Sequence, residues 1–383
     1  MARPKVILVA NDVVPGMGLP VAAPGLRAFG LAAGLREHGF PVLTTVPAEV
    51  VRAAWSGPIP PPVPVGTRVL AGGERGEFVA GEAPAVVVLT NGNHIDDLRP
   101  APGLQLIVDF FAPRMLELAC RPGGGAGRQV AAELRERKLR AIGAADGFIF
   151  NGLKKRPYFL AWLLAGGRDP AETPLAPVFM CLPSRFPTER PPGEPRRLCV
   201  AGYRQAWSLP GPWLEHLASR LDPSRLTLDL IMPAHWGDGS PPPEPPALAA
   251  LRGHPAVAVH PPLRYGEFLD LLAGVDVAVD LFEHTLEREY AVVTRTVVAL
   301  CCGVPVVHPP FTEVSPLVAG ADAGWLVDPA DREGLDAVLD EVLGDPVAVT
   351  AKAARARRLW GEVLDPAVAV RPLAQMIEQV ASW

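Results

Sequence analysis

The sequence predicts an α/β protein of two doubly wound, Rossmann-like domains that face each other across a cleft. Three observations predict this fold class. Short apolar runs alternate with amphipathic helical patterns along most of the chain. A Pro-rich segment at residues 183–195 interrupts the alternation, which then starts again. At 383 residues, the chain is also longer than one ordinary hydrophobic core accommodates.

The first predicted domain covers residues 1–185. A helix with one buried face is expected at residues 24–38, closed by Gly39. Strand–helix alternation implies a parallel sheet that helices cover on both faces. Buried strands of this domain are expected at residues 5–10, 41–46, 85–90, 104–109 and 147–150, and a second helix at residues 128–142.

The second predicted domain covers residues 196–365, and a closing helix is expected within residues 366–383. Ligands of doubly wound sheets bind outside the carboxyl ends of the strands, so the functional residues are sought in the loops that follow them. Strands are expected at residues 197–201, 226–232, 257–260, 275–281 and 305–307, and helices at residues 266–273, 294–302, 331–343 and 349–359.

The bulk composition is that of a globular protein without a nucleic-acid partner. The chain is 49% hydrophobic and 20% charged, with a formal net charge of −5 and a pI near 5.9. This charge balance repels a polyanion. No Asp-x-Asp pair occurs, and we expect neither a metal site nor a cofactor.

The cysteines and the apolar runs indicate where in the cell the protein is located. The odd number of cysteines, without a C-x-x-C spacing, favours a reduced, cytoplasmic protein. The N-terminal apolar run is too short for a signal peptide, and no run is long enough to span a membrane. Residues 158–165 are apolar and follow Lys154, Lys155 and Arg156. They form either a core helix with a basic edge or a peripheral contact with anionic lipid at the inner membrane face.

The first candidate site is residues 11–27, the loop after the first strand and the start of its helix. Gly16 and Gly18 allow the backbone to approach a ligand closely. Arg27 lies in the first turn of the following helix, where its charge opposes the helix dipole, and this indicates an anionic ligand. The alternative is a flexible loop with a solvated arginine. The spacing is not G-x-G-x-x-G, so a dinucleotide site is not supported.

Residues 90–97 (TNGNHIDD) form the second candidate site, directly after a buried strand. Asn93 is suited to hydrogen-bond sugar hydroxyls, and His94 to position or polarise an acceptor. The alternative is turn chemistry, because Asn-Gly is a turn dipeptide. Asp109, at the end of the next strand, is a candidate base or hydroxyl ligand, or else a helix cap.

Residues 202–207 (GYRQAW) follow the first strand of the second domain and form the third candidate site. Gly202 opens the turn. Arg204 is suited to hold a diphosphate. Tyr203 and Trp207 are candidates to stack on a base or sugar.

The fourth candidate site lies in residues 280–310, where a polar segment leads into an apolar helix and a Gly-x-Pro turn. A helix N-terminus offers free N–H groups to phosphate, and Thr294 and Arg295 add side-chain donors. Glu287 is suited to accept hydrogen bonds from sugar or ribose hydroxyls. The alternative is an exposed charge run. The remaining donor-site candidates are Glu283 and Glu313, the second of which could instead cap the next helix.

Four segments in order resemble a GT-B glycosyltransferase of the family 4 type, in a bacterial subgroup often associated with cell-surface polysaccharide gene clusters. Residues 24–42 resemble that group's first loop and helix, and residues 106–119 its Asp-containing strand and the helix after it. Residues 147–170 resemble the end of its first domain. Residues 286–307 resemble its donor-site helix, except that Val298 replaces a ribose-binding carboxylate and Val293 an arginine.

The resemblance implies metal-independent, retaining transfer of a sugar from a nucleotide diphosphate to an unknown acceptor. The donor would lie on the second domain and the acceptor on the first. Arg204 and Arg295 would stabilise the departing diphosphate, and a phosphate oxygen of the donor would take the proton. Two alternatives stay open: a nucleotide-sugar epimerase or phosphorylase of the same fold, and a non-catalytic subunit that binds a partner protein.

Overall fold

The computed structural model describes residues 3–55, 57–120, 125–186, 196–205, 210–235 and 243–381. The chain divides into two compact units. The first comprises Met1–Pro183 and Val363–Trp383, and the second comprises Ser184–Glu362.

A seven-stranded parallel sheet forms the centre of the first unit, in the order β3-β2-β1-β4-β5-β6-β7. The order reverses between β1 and β4, and in such sheets this switch point is where a ligand crevice opens. In the register, Ile7 of β1 lies beside Leu43 of β2 and Val87 of β4. The strands are β1 (Lys5–Val9), β2 (Val42–Pro47), β3 (Thr67–Leu70), β4 (Ala85–Thr90), β5 (Leu104–Phe110), β6 (Gly147–Phe150) and β7 (Leu175–Pro177).

Helices connect these strands, as parallel pairing requires. A 3₁₀ turn at Ile95–Asp97 follows β4. The helices are α1 (Ala23–Glu37), α2 (Ala48–Ala54), α3 (Gly72–Gly81), α4 (Arg114–Ala119), α5 (Gly125–Ala144) and α6 (Arg156–Ala165).

The second unit repeats the architecture with six parallel strands in the order β10-β9-β8-β11-β12-β13. Its switch point lies between β8 and β11. Its strands are β8 (Arg196–Ala201), β9 (Leu226–Ile231), β10 (Val257–Val259), β11 (Val277–Val279), β12 (Val306–His308) and β13 (Gly324–Leu326). Its helices are α7 (Trp213–Arg220), α8 (Pro246–Leu251), α9 (Tyr265–Leu272), α10 (Leu286–Glu289), α11 (Thr294–Cys301), α12 (Ser315–Ala321), α13 (Arg332–Gly344) and α14 (Pro346–Leu359).

The C-terminal segment returns to the first unit. It contains α15 (Pro366–Ala369) and α16 (Arg371–Val380). Leu373 and Ile377 are fully buried in the core that also contains Val6 and Leu8. A Cβ at Gly34 of α1 would lie 2.3 Å from the Pro366 carbonyl oxygen, so only glycine permits this helix contact.

The two parallel sheets with alternating helices confirm the predicted α/β fold class. The strands that the sequence analysis missed are β3, β7 and β13, all at sheet edges. β3 and β7 are only partly buried, and β13 is three residues long, so none of them has the continuous apolar run on which the prediction depended. Within the described part of the chain, no helix has the length and apolar character needed to cross a membrane.

Candidate functional site

The loops after β1, β4 and β5 are tied together at the carboxyl edge of the first sheet. The Asn11 side chain donates from Nδ2 to the Thr90 carbonyl oxygen at 2.9 Å. Asn91 has a φ of 57°, and its Oδ1 accepts from the Ala112 N–H at 2.9 Å. These side-chain bonds fix the irregular backbone at the switch point of the sheet.

Arg27 and Asp109, which the sequence analysis assigned separately, form one buried ion pair. Arg27 Nε and Nη2 donate to the two Asp109 carboxylate oxygens at 2.9 and 3.1 Å, and Nη1 donates to the Phe179 carbonyl oxygen at 2.8 Å. Both side chains are fully buried. Arg27 is therefore occupied within the fold, and neither it nor Asp109 is presented to a ligand as predicted. The structure begins α1 at Ala23, so Arg27 is its fifth residue and lies just beyond the first turn in which it was predicted.

His94 is held by polar side chains on one side of its ring. Its Nδ1 lies 2.8 Å from Arg75 Nη1 and 3.0 Å from Asp97 Oδ2. Burial, and next the Arg75 charge, lower the pKa of His94, which favours the neutral ring. Asn93 is half-buried, and its backbone N–H donates to the Thr90 carbonyl oxygen at 3.4 Å.

Gly16 and Gly18 have φ angles of 93° and 68°, which L-residues with side chains rarely adopt. A Cβ at Gly16 would lie 3.0 Å from Pro64, and one at Gly18 would lie 3.7 Å from Pro62. The predicted ligand loop thus packs against the proline-rich loop before β3.

Two polar residues of the predicted loop at residues 11–27 were not singled out from the sequence. Asp12 is 5% exposed, its Oδ1 accepts from the Val13 N–H at 2.7 Å, and burial raises its pKa to about 7. Asn11 Oδ1 is buried and has no hydrogen-bond partner among the described residues. The available signal was positional, because Asn-Asp directly follows the apolar run of the central strand.

The structure brings two predicted residues of the second unit together. Gly202, after β8, has a φ of 139°, and a Cβ there would lie 2.4 Å from Arg295 Nη1. Arg295 Nε donates to Asp280, which follows β11. Thr294 begins α11, and Val293 before it provides no side-chain cap. The helix N-terminus and a guanidinium therefore lie beside the β8 turn.

A buried network supports this arginine. Thr296 Oγ1 donates to the second Asp280 carboxylate oxygen at 2.5 Å and lies 3.1 Å from His308 Nδ1. His308 Nε2 lies 2.7 Å from Thr312 Oγ1. Burial lowers the pKa of His308 to about 4, so its imidazole is neutral at pH 7. Asp280 is thereby fixed in the orientation that holds Arg295.

Arg204 faces a different partner. Its Nη1 lies 3.7 Å from Glu244 Oε2, and its buried Nε has no hydrogen-bond partner among the described residues. The Tyr203 ring stands edge-on to His235, with centroids 4.9 Å apart. Trp207, the second predicted stacking residue, lies outside the described residues.

The predicted glutamates have three different surroundings. Glu287 is 2% exposed, and both its carboxylate oxygens accept from Arg288, at 2.5 and 2.9 Å, so it is not presented to a sugar as predicted. Glu283 is exposed beside Gly211. Glu313 is buried and lies two residues before α12, and its predicted role at the donor site or as a cap stays a prediction.

A cavity of about 190 Å³ lies at the carboxyl ends of β9 and β10. It is smaller than the roughly 300–1,000 Å³ of a drug-sized pocket and suits a ring-sized fragment. Its lining is mostly apolar and includes Met232, Arg252 and His260. Among the described residues, no group of three or more His, Cys, Asp or Glu side chains is arranged to hold a metal ion.

No protein-family model and no curated protein sequence matches the chain. Solved structures match it along its whole length. Sucrose-phosphate synthase from Thermosynechococcus elongatus is 13% identical, with a TM-score of 0.69 and 99% of each chain covered. The chain has the GT-B fold. HepE from Anabaena, in complex with UDP and glucose, is 14% identical, with a TM-score of 0.62 over 98% of this chain and 100% of that one.

A third GT-B match is WaaG, a glycosyltransferase involved in lipopolysaccharide biosynthesis. It is 17% identical, with a TM-score of 0.61 over 97% of this chain and 99% of that one. The predicted GT-B resemblance is confirmed at the level of fold. Identities this low define the fold and leave the activity to be argued from the site.

Proposed function

We propose that the protein is a metal-independent glycosyltransferase that moves a sugar from a nucleotide diphosphate sugar to a hydroxyl acceptor. The observation that carries this proposal is the juxtaposition of Gly202, Arg295 and the uncapped N-terminus of α11 at the switch point of the second sheet. The matched structures support it, since one is a glycosyltransferase and another holds UDP and glucose.

The geometry of this edge suits a diphosphate. Backbone N–H groups at a helix N-terminus bind anionic oxygens, and the helix dipole favours negative charge there. Asp280 engages Arg295 through Nε, and the described residues provide no hydrogen-bond acceptor for either Nη nitrogen. Those two nitrogens are the donors available to phosphate. Gly202 leaves the space in which Nη1 lies.

The proposed chemistry follows from charge development. As the bond between the anomeric carbon and the diphosphate breaks, negative charge grows on the leaving oxygens. Arg295 and the α11 dipole would stabilise that charge without a metal, and Arg204 is the candidate second cation. The family resemblance favours retention at the anomeric carbon, with a donor phosphate oxygen taking the acceptor proton.

The proposed location is the cytoplasm, where the free cysteines would stay reduced. We also propose a peripheral contact with anionic lipid through α6. Leu164 in the last turn of α6 is 63% exposed. Before the helix, Leu153 is 56% exposed, and Lys154 and Arg156 beside it in the sequence are exposed as well. Lys155, which the sequence grouped with these cations, is buried.

A nucleotide panel tests the proposal. Thermal shift and calorimetry with UDP, GDP, TDP, ADP and CMP should identify one preferred nucleoside diphosphate. Arg295→Ala should weaken its binding at least tenfold, which is about 1.4 kcal/mol. Arg225→Ala, which removes an exposed arginine of the same unit, should leave binding unchanged. Unchanged affinity in Arg295→Ala would contradict this placement of the donor.

The same purified protein distinguishes a transferase from an epimerase and from a non-catalytic subunit. Incubation with the matching nucleotide sugar and no acceptor should give slow hydrolysis at most. Interconversion of sugars would instead identify an epimerase. Absence of binding by every nucleotide would favour the non-catalytic subunit.

A further inference from the structure

Asp109 and Asp280 are buried aspartates that each hold an arginine, but they hold it in different ways. In the first unit, both carboxylate oxygens of Asp109 accept from Arg27, through Nε and Nη2. In the second unit, Asp280 Oδ1 accepts from Arg295 Nε, whereas its Oδ2 accepts from Thr296 Oγ1 at 2.5 Å. The Thr296 hydroxyl therefore occupies the oxygen that an Nη nitrogen of Arg295 would otherwise reach.

The donors and acceptors of this network admit one arrangement of hydrogen atoms. A carboxylate only accepts, so the hydroxyl proton of Thr296 points to Asp280. His308 Nδ1, 3.1 Å from the same hydroxyl oxygen, then carries a proton and donates it. Burial lowers the pKa of His308 to about 4, so the ring is neutral at pH 7 and its Nε2 bears no proton. Nε2 accordingly accepts from Thr312 Oγ1 at 2.7 Å.

The far end of the network is the start of α12. Thr312 Oγ1 accepts from the backbone N–H groups of Val314 and Ser315, at 3.1 and 3.3 Å. The Ser315 hydroxyl lies 3.0 Å from Thr312 Oγ1, but its proton goes to the Pro309 carbonyl oxygen at 2.7 Å. Every hydrogen bond from α12 to the aspartate then points the same way, and bonds in such a chain polarise and strengthen one another.

We propose that Thr296 and His308 are positioning residues that keep the Arg295 guanidinium open to the donor diphosphate. They hold Asp280 so that it engages Arg295 through Nε only, and both Nη nitrogens stay available to phosphate. Thr296, His308 and Thr312 are at most 1% exposed, so solvent does not replace these bonds. The role rests on the proposed glycosyl transfer, because it requires that Arg295 binds the donor.

Removal of the Thr296 hydroxyl should close the arginine. With Oδ2 released, Asp280 can turn and form the two-bond arrangement that Asp109 forms with Arg27. An Nη nitrogen would then bind the aspartate in place of phosphate. The diphosphate should accordingly bind about tenfold more weakly, which is the effect expected from the loss of one hydrogen bond to a charged group.

Calorimetry with UDP, GDP, TDP and ADP tests this role on the full chain. Thr296→Val removes the hydroxyl at nearly constant volume and should weaken binding of the preferred nucleotide about tenfold, whereas Thr296→Ser should restore it. Arg295→Ala should add little further loss to Thr296→Val, because both changes act on the same guanidinium. The matched control is Thr227→Val, which removes a β9 hydroxyl that donates to the Arg196 carbonyl oxygen at 3.3 Å and should leave binding unchanged.

The tautomer of His308 is a second measurement that needs no ligand. Long-range proton–nitrogen correlation spectra distinguish the two neutral tautomers of a histidine ring, and the signals lost in His308→Asn identify this one. The unmodified protein should show the proton on Nδ1. A proton on Nε2 would overturn the proposed hydrogen-bond chain whatever the other variants do.

The results distinguish the positioning role from the proposed function. If no nucleoside diphosphate binds the unmodified protein, the proposed glycosyl transfer is refuted, and the role of these residues toward a donor is refuted with it. If the unmodified protein binds and Thr296→Val binds equally well, only the positioning role is overturned. The same holds if Arg295→Ala causes its full loss in the Thr296→Val background. Should Thr296→Val fail to fold, the tautomer of His308 still decides the proposal.

Discussion

The two sheets arrange charge at their carboxyl edges in opposite ways. In the first unit, Arg27 and Asp109 neutralise each other through two hydrogen bonds. Among the described residues, the groups left without partners after its strands are the acceptor Asn11 Oδ1 and the amide donor Asn151 Nδ2, and neither carries a charge. In the second unit, Asp280 holds Arg295 through Nε, and the groups left over are donors.

This difference matches the two reactants of the proposed reaction. Uncharged amide groups suit the hydroxyl groups of a neutral sugar, whereas guanidinium and helix N–H donors suit a diphosphate. A fold that repeats one architecture twice can thus separate two chemistries. In the first unit all three nitrogens of the Arg27 guanidinium have acceptors, whereas in the second unit only Nε of Arg295 does.

The largest expected effect comes from breaking the pair in the first unit. Arg27→Met should leave Asp109 as an unpaired buried carboxylate and destabilise this unit by about 3–5 kcal/mol. Hydrogen exchange measured by mass spectrometry in peptides that cover β1, β4 and β5 reports this loss for the first unit alone.

Two further variants control that result. The double variant Arg27→Met with Asp109→Leu should be less destabilised than Arg27→Met alone, because no buried charge is left unpaired. Arg295→Met should have a smaller effect on the stability of the second unit, since Arg295 is more exposed and Asp280 keeps Thr296. Equal losses in both units would contradict the contrast between complete and partial pairing.

The second expected effect is a pH dependence of opposite sign in the two units. Burial raises the pKa of Asp12 from 3.8 to about 7, so its contribution to stability is present below pH 3.8 and lost as the pH rises through 7. Burial lowers the pKa of His308 from 6.5 to about 4, so its contribution is present above pH 6.5 and lost as the pH falls through 4. Each amounts to at most about 3–4 kcal/mol.

Hydrogen exchange between pH 4.5 and 6.5, corrected for the intrinsic exchange rate, measures how the stability of each unit depends on pH. The first unit should lose stability with rising pH, while the second should gain it. Asp12→Asn should flatten the first slope and His308→Asn the second. Slopes of the same sign, or slopes that survive these substitutions, would show that other groups dominate.

The sequence predicted the fold well because its signals are local. The interior strands were found from their apolar runs. The site was predicted less completely, because its chemistry depends on distant pairs. Arg27 was recognised as unusual, yet its partner lies 82 positions away, and no local pattern indicates it.

The same reason explains the other outcomes at the site. Gly202 and Arg295 were both predicted, but their contact follows from the alignment of β8 beside β11. Asp12 was missed because a polar residue after a strand resembles an ordinary turn. Its significance comes from burial of a carboxyl group that has no cationic partner among the described residues, which only the three-dimensional arrangement reveals.

The smallest expected effect concerns the carboxyl edge of the second sheet, where Gly202 lies beside Arg295. Gly202→Ala should cost on the order of 1 kcal/mol of stability, because a φ of 139° disfavours alanine. The added Cβ should also displace the Arg295 guanidinium, since it would lie 2.4 Å from Nη1. Calorimetry with the preferred nucleotide should show about tenfold weaker binding, equivalent to about 1.4 kcal/mol.

Gly266→Ala is the matched control for this substitution. That glycine lies in α9 with no other group near its would-be Cβ, so alanine should leave nucleotide binding unchanged and raise stability slightly. If Gly202→Ala binds nucleotide as well as Gly266→Ala does, the position of Arg295 beside the β8 turn is not what selects the diphosphate. If only Gly202→Ala is impaired, and Arg295→Ala adds no further loss to it, the two residues act through the same contact.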